Sequence, residues 1–245
     1  MFVLLPPSET KAPGGYGPAL DLRTLAFPQL APLREQLMTA LVDVCADPPA
    51  ARRALGVTSS KDSDIAATAR LRTAPTMPAM VRYTGVLYEA LGVGSLPRSA
   101  RLRAAERLLI SSALFGVLAG GDFVPTYRLS AGSNLPGLGG LAAFWRPHLA
   151  TALTMLEGPV VDLRSGAYAS LAVVPGAITV RVVTENESGG RTVVSHFNKA
   201  TKGLLARALV TSRAQLSGVT DVARVARRAG LRIERTGERS LQVVT

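Results

Sequence analysis

Five short stretches of this chain hold side chains able to grip an anion or move a proton. They are Ser8-Glu9-Thr10-Lys11, Asp122, Tyr127-Arg128, the pair Ser165 and Tyr168, and the pair Lys199 and Lys202. A guanidinium and a set of ammonium groups suit a phosphate or carboxylate. Asp122 or Glu9 could serve as a base, and a lysine drawn out of water could serve as a nucleophile. All of these residues stand in turns or at the ends of apolar runs, where a rigid scaffold presents its working groups. None of the stretches is a catalytic signature, so no reaction type follows. Plain structural roles fit the same residues: an Asp cap on a Gly-Gly turn, an arginine in solvent, Ser165 as a helix cap, Tyr168 as a packed ring, Ser8 and the lysines on solvated faces.

The elements that would position them can be read from hydrophobic pattern. Residues 1–5 form a short buried strand ended by Pro6-Pro7. The organising stretch is 107–132. Its first half, 108–118, is almost continuously apolar, interrupted only by Ser111, Ser112 and Gly116, and reads as one buried helix or strand. Gly120-Gly121-Asp122 and Pro125 then turn the chain into Tyr127-Arg128. A strand at 160–163 puts Ser165 and Tyr168 just past its carboxyl end, where open α/β sheets bind ligands. Helices are expected at 28–45, 50–55, 62–72 and 141–156, with Asp47-Pro48-Pro49 closing the first. A β-hairpin is expected from 178–185 and 191–197 around 186–190, with His196, Asn198, Lys199 and Lys202 where its second run becomes a helix. A helix at 221–229 and two strands within 231–245 complete the chain.

Between them, a helix from about 84 to 91 leads through Gly92-Val93-Gly94-Ser95 into an Arg-rich helix at 97–109. That is the pattern of a helix-hairpin-helix. Glycines let a backbone approach phosphate closely, N–H groups at the start of the second helix are free, and Arg98 and Arg101 add charge. An ordinary helix–helix turn with a glycine cap fits these residues equally well.

Composition narrows the partners. The 245 residues are 47% hydrophobic, enough for a core, and the net charge is +11 with a pI near 10.8. Polyanions are the expected partners, nucleic acid before an anionic membrane surface, because no basic amphipathic helix with bulky apolar residues is evident. Ten Lys and Arg fall between Lys199 and Arg239 against three acids, making 199–245 a basic C-terminal part. Cys45, the single cysteine, follows the apolar pattern of its helix and reads as a core thiol. Two histidines exclude a His-rich metal site; neither a metal nor a cofactor is expected. The first residues lack a basic segment, and their apolar run is too short for a signal peptide or a membrane span. A soluble cytoplasmic protein is expected.

Several patches, in order, carry a family resemblance: Tyr83-Thr84-Gly85-Val86-Leu87-Tyr88, Ser112-Ala113-Leu114-Phe115-Gly116-Val117-Leu118, Asp122 followed by Tyr127-Arg128-Leu129 and Gly132, Phe144-Trp145, Val161-Asp162-Leu163 with Ser165 and Tyr168, and Ser195, Phe197, Lys199, Lys202-Gly203. This chain resembles the YaaA-type family of bacterial peroxide-stress proteins over nearly its whole length. The resemblance implies a mixed α+β fold in one compact domain, distinct from Rossmann relatives and containing a helix-hairpin-helix. It implies binding of double-stranded DNA, for which the residues themselves offer Gly92, Gly94, Ser95, Arg98, Arg101, Arg128, Lys199 and Lys202 as candidate phosphate contacts. It also implies a role in peroxide protection that includes limiting intracellular free iron, indirectly or through a carboxylate/His site not visible in the sequence. Lys11 carries over from a Ser-Pro-Ala-Lys-like segment of the family, here Pro-Pro-Ser-Glu-Thr-Lys. The alternative is an enzyme acting on a nucleotide or other phosphorylated small molecule. A narrow pocket uniting Lys11, Asp122, Arg128 and Lys199 would favour the enzyme, and an open basic groove beside Gly92–Gly94 would favour DNA.

Overall fold

A computed structural model describes every residue except 187, 188, 193 and 194, and gives the backbone alone for 195–197. An eight-stranded mixed sheet is its frame. The strands are β1 (Phe2–Leu5), β2 (Leu108–Ser112), β3 (Gly116–Ala119), β4 (Val160–Asp162), β5 (Ile178–Glu185), β6 (Arg191–Thr192), β7 (Ile233–Arg235) and β8 (Ser240–Val244). Their spatial order is β7-β8-β5-β4-β1-β2-β3, with β6 also paired to β5. β1 lies between two parallel neighbours: Val3 faces Leu108 on one side and Val161 on the other. Val3, Leu4 and Leu5 are all fully buried, as a strand covered on both faces requires.

The helices are α1 (Ala31–Cys45), α2 (Pro48–Leu55), α3 (Asp62–Ala69), α4 (Val86–Leu91), α5 (Arg98–Arg107), α6 (Leu141–Thr154), α7 (Ser195–Thr211) and α8 (Val219–Arg228), with single turns at Ala79–Arg82 and Gly166–Ala169. The fold is mixed α and β in one compact domain around one hydrophobic core. From β1 the chain crosses to β2 on one side, then returns as β4 on the other. The loops after β1 and β4 therefore part at the carboxyl ends of adjacent strands, a topological switch point.

Three expectations change. The apolar run at 108–118 is two antiparallel strands, with Ile110 opposite Leu118. The fold-back depends on Gly116, which has φ +73°; a Cβ there would lie 2.9 Å from both Trp145 and Leu149. Pro48-Pro49 opens α2, since proline's fixed φ suits a first helical turn. Leu108 ends α5 by entering the sheet. The expected hairpin shows as Arg191 and Thr192 paired with Glu185 and Thr184. Its loop residues Glu187 and Ser188, its residues Val193 and Val194, and the side chains of Ser195, His196 and Phe197 lie outside the described residues. Among the described residues no helix is long and apolar enough to cross a membrane.

Candidate functional site

The loop leaving β1 is fixed by a clamp that the sequence did not advertise. Arg82 is fully buried in the turn at Ala79–Arg82. Its guanidinium donates to the carbonyls of Ala12, Gly14 (2.8 Å), Pro75 (3.2 Å) and Val124 (3.0 Å). The backbones of Lys11 and Tyr83 pair, Thr84 N–H donates to Thr10 O at 3.2 Å, and Ala12 N–H donates to Arg82 O at 2.8 Å. Ser8 to Lys11 are therefore held against Tyr83-Thr84-Gly85.

Lys11 sits in an aromatic cage. Its Nζ lies 4.2 Å from the centre of the Tyr127 ring and 5.3 Å from that of Tyr83, and donates to Ser8 O at 3.3 Å. Loss of hydration pulls its pKa down to about 8; Glu9 opposes the shift and Arg128 adds to it. The phenols of Tyr83 and Tyr127 are 2.6 Å apart, and Tyr127 also meets Ser112 Oγ at 2.7 Å. Ser112 Oγ in turn accepts from Leu114 and Phe115 N–H, so β2 and its turn anchor the cage. Burial pushes the Tyr83 phenol up to about 12 and holds that of Tyr127 well above the ordinary value. Both phenols stay protonated near neutral pH.

Arg128 closes the outer side. It reaches Glu9 Oε2 at 3.4 Å and Asp64 Oδ2 at 3.8 Å, while its backbone N–H donates to Thr68. Tyr168 packs nearby, buried, with its pKa raised by desolvation and by Glu9.

Beside the cage opens a cleft of about 690 Å³ at the switch point. Its polar walls are Ser8, Glu9 and Thr10 after β1, Thr84 before α4, Ser165 after β4, and Asn198, Lys199 and Lys202 on α7. Lys202 donates to Arg164 O at 3.2 Å, and desolvation lowers its pKa against the pull of Asp162. Lys199 is exposed. The Oδ1 of Asn198 is shielded from solvent and finds no hydrogen-bond partner among the described residues. Arg164 also borders the cleft but is fully spent. It grips Asp162 at 2.7–3.2 Å and donates to Tyr168 O and Ala172 O, shaping the loop that carries Ser165.

α7 can approach this closely because of Gly203. A Cβ there would fall 2.2 Å from Leu87 O on α4. Arg207 on α7 donates at 2.9 Å to Leu91 O and Gly92 O, and Arg103 on α5 donates at 3.0 Å to Val210 O and Thr211 O. The two arginines donate to carbonyls at the C-terminal ends of α4 and α7, where the helix itself supplies few donors.

Several expected roles are corrected. Asp122 does not join Lys11, Arg128 and Lys199. It is buried in the turn after β3, and its carboxylate accepts from Ala26 N–H (3.1 Å) and Ala119 N–H (2.9 Å). Beside it the fully buried Arg34 donates to Ala26 O, Phe115 O and Val117 O. Tyr127 and Tyr168 are buried, Tyr127 in the cage over Lys11. The Gly92–Ser95 segment is a 3-10 turn between α4 and α5: Gly92, at φ +57°, caps α4, and Ser95 Oγ donates back to Gly92 O. Gly94 faces open space. Arg98 and Arg101 are exposed, and their guanidinium groups make no ion pair or hydrogen bond to another described residue. A shallower groove of about 460 Å³ runs past Gly92, Gly94 and Arg101 on the other side of α4. The basic C-terminal part is largely spoken for: Arg207, Arg224, Arg227, Arg232, Arg235 and Arg239 bond to carbonyls or carboxylates, leaving Lys199, Arg213 and Arg228 free among the described residues.

Tyr83, Thr84 and Ser112 were not among the candidate site residues of the sequence. The detectable signal was Arg82, a lone charge within the apolar run before Tyr83.

The fold and site together define an open-sheet α/β protein with a lysine-walled cleft at its switch point. The family model described as peroxide stress protein YaaA matches residues 1–236, and the chain belongs to that family. It is 47% identical over 238 residues to a UPF0246 protein of Corynebacterium efficiens, covering 96% of this chain and 95% of that protein. It is 41% identical over 239 residues to a UPF0246 protein of Streptomyces coelicolor, covering 96% and 92%. An uncharacterised Campylobacter jejuni protein is 28% identical over 209 residues, covering 84% and 82%.

Proposed function

We propose that this peroxide-stress family member works by binding duplex DNA through its phosphates, largely without regard to base sequence. The supporting observation is the free pair Arg98 and Arg101 at the start of α5, beside a glycine whose backbone is open to approach. Arginines with no internal carboxylate have charge to give to a polyanion, and such contacts position a duplex without reading it. The link to intracellular free iron rests on the family resemblance alone and enters no step of this reading. Among the described residues no three of His, Cys, Asp or Glu are grouped to hold a metal ion.

The test is anisotropy of a labelled random-sequence duplex across a salt series. Gly94→Ala is the informative variant, because a methyl there meets nothing within 4 Å and the fold is left intact. Gly92→Ala is not, because it would strain a left-handed cap and crowd Arg207 Nη1 at 3.0 Å. Salt-sensitive binding weakened by Gly94→Ala and by Arg98→Ala/Arg101→Ala supports the reading. Absence of binding even at low salt defeats it.

A second reading has its own observation. The cleft that unites Ser8, Glu9, Thr10, Ser165, Asn198, Lys199 and Lys202 has the size and polarity for a nucleotide or another phosphorylated small molecule.

A further inference from the structure

The chain uses lysine sparingly. Of its 28 basic residues only Lys11, Lys61, Lys199 and Lys202 are lysines. In so Arg-rich a chain, a bare need for positive charge is met by arginine. Three of the four lysines nevertheless gather at one place. Lys199 and Lys202 line the cleft, and Lys11 Nζ stands 3.3 Å from the carbonyl of Ser8, another cleft residue, beside Glu9, a third. What lysine can do and arginine cannot is shed its proton and attack.

Lys11 is set up for that. Its ammonium donates to one carbonyl and lies over two rings, and no carboxylate of the described residues is within ion-pair distance. The groups around it are Glu9, Asp64, Arg82 and Arg128 with the phenols of Tyr83 and Tyr127. The residue is partly buried, and its ammonium lies against the backbone of Ser8, which lines the cleft. With a pKa of about 8, roughly a tenth of the amine is neutral at pH 7, on the order of 300 times the fraction of an ordinary lysine.

We propose that Lys11 is the amine of an imine-forming site, which condenses with the aldehyde of a phosphorylated open-chain sugar whose phosphate is held by Lys199 and Lys202. The neutral amine adds to the aldehyde carbon. The C=N bond forms as the carbonyl oxygen leaves, taking both amine hydrogens as water. No oxidant or reductant is needed. An amine made nucleophilic by desolvation and a neighbouring cation is the recognised partner of a carbonyl carbon; here the cation is Arg128. Two sources supply this chemistry, a free sugar phosphate and the baseless deoxyribose of damaged DNA. The inference rests on the small-molecule reading of the cleft; only the second source also needs the duplex reading.

The experiment incubates the full chain at pH 7.5 with cyanoborohydride and one of three probes: 2-deoxyribose 5-phosphate, unphosphorylated 2-deoxyribose, or an oligonucleotide with one abasic site. Intact mass and peptide mapping locate the reduced adduct, and equilibrium dialysis without reductant measures binding of the sugar phosphate. The expected result is an adduct on Lys11 and not on Lys61 or the N-terminus. It should form at least about tenfold faster with the phosphorylated sugar, a modest share of what two charge-assisted contacts can supply. Lys11→Arg keeps a cation over the rings and should abolish the adduct, while Lys199→Gln keeps the amine and should slow it. An adduct with the oligonucleotide but not the free sugar supports the site and fixes its source as DNA. An adduct spread over all amines, or surviving Lys11→Arg, overturns the proposal. Sugar-phosphate binding without an adduct overturns the imine and leaves the cleft reading standing; neither binding nor adduct overturns both.

Discussion

Lys11→Met should make the protein more stable near neutral pH, and the gain should disappear in alkali. In the folded chain the Lys11 pKa is about 8, against a reference of 10.5, with desolvation as the main cause. Keeping that ammonium charged in the fold therefore costs up to about 3 kcal/mol. Partial solvent access and the attraction of the two rings return part of this, the rings about 0.5–2 kcal/mol. A net gain of about 1–2 kcal/mol remains for the apolar methionine, or about 4 °C in Tm for a chain of this size. The sign with pH is fixed by linkage. Below pH 8 the lysine is charged in both folded and unfolded chains, so the penalty is felt in full. Between pH 8 and 10.5 the folded chain has released its proton while the unfolded chain holds it, and the wild type gains stability with rising pH. Above 10.5 both forms are neutral and the difference closes. Urea unfolding of both proteins from pH 7 to 10.5 measures this directly. A variant less stable at pH 7, or a gap that does not narrow with pH, would refute the view of Lys11 as a desolvated amine held at an energetic cost.

Other perturbations separate scaffold from site. Asp122→Ala leaves two partly buried N–H groups without their carboxylate acceptor and should cost about 1–3 kcal/mol by thermal melts, while binding to DNA at 20 °C is unchanged. Gly203→Ala would drive a methyl into the Leu87 carbonyl and should lower stability by about 3 kcal/mol; a melt unchanged within 1 °C would show α4 and α7 free to part. Arg98→Ala/Arg101→Ala should reduce the salt slope of duplex binding by about 2, near one per lost phosphate contact, with the melting temperature unchanged. Arg34→Met strips donors from three carbonyls and the cation beside Asp122. It should destabilise by about 3–5 kcal/mol in urea titrations.

Much of the fold was legible because its signals are local. The strand at Phe2–Leu5 ends at two prolines, β5 has bounds that follow a β-rich run, and α1 follows its leucine spacing. The 108–118 run was misread because burial on both sides erases periodicity, and a tight turn within apolar residues leaves only Gly116 as its mark. The site was half legible. Glu9, Ser165, Lys199 and Lys202 line one cleft at the switch point, and Lys11 lies beside it, bonded to Ser8 O. Asp122 does not join them, because sequence shows a carboxylate's type and not its direction; this one turns inward to satisfy N–H groups of its own turn and of Ala26.

The same ambiguity runs through the charge of +11, and resolving it changes what the charge can mean. Arg34 and Arg82 are buried among carbonyls, Arg103 and Arg207 satisfy helix ends, and Arg164 shapes a loop. Each places a fixed five-donor fork where backbone oxygens crowd. Arginine in this chain is thus first a structural donor, and most of the basic C-terminal part offers nothing to a polyanion. The charge that reaches solvent without a side-chain partner among the described residues is spread over Arg53, Arg70, Arg146, Arg181, Lys199, Arg213 and Arg228 as well as the pair Arg98 and Arg101 beside α4. The duplex contact proposed above is the one at Arg98 and Arg101, next to α4 and the open Gly94. If duplex binding instead survives Arg98→Ala/Arg101→Ala and is lost with Arg213→Ala/Arg228→Ala, the contact lies on the far end of α7, and the cleft has no part in it.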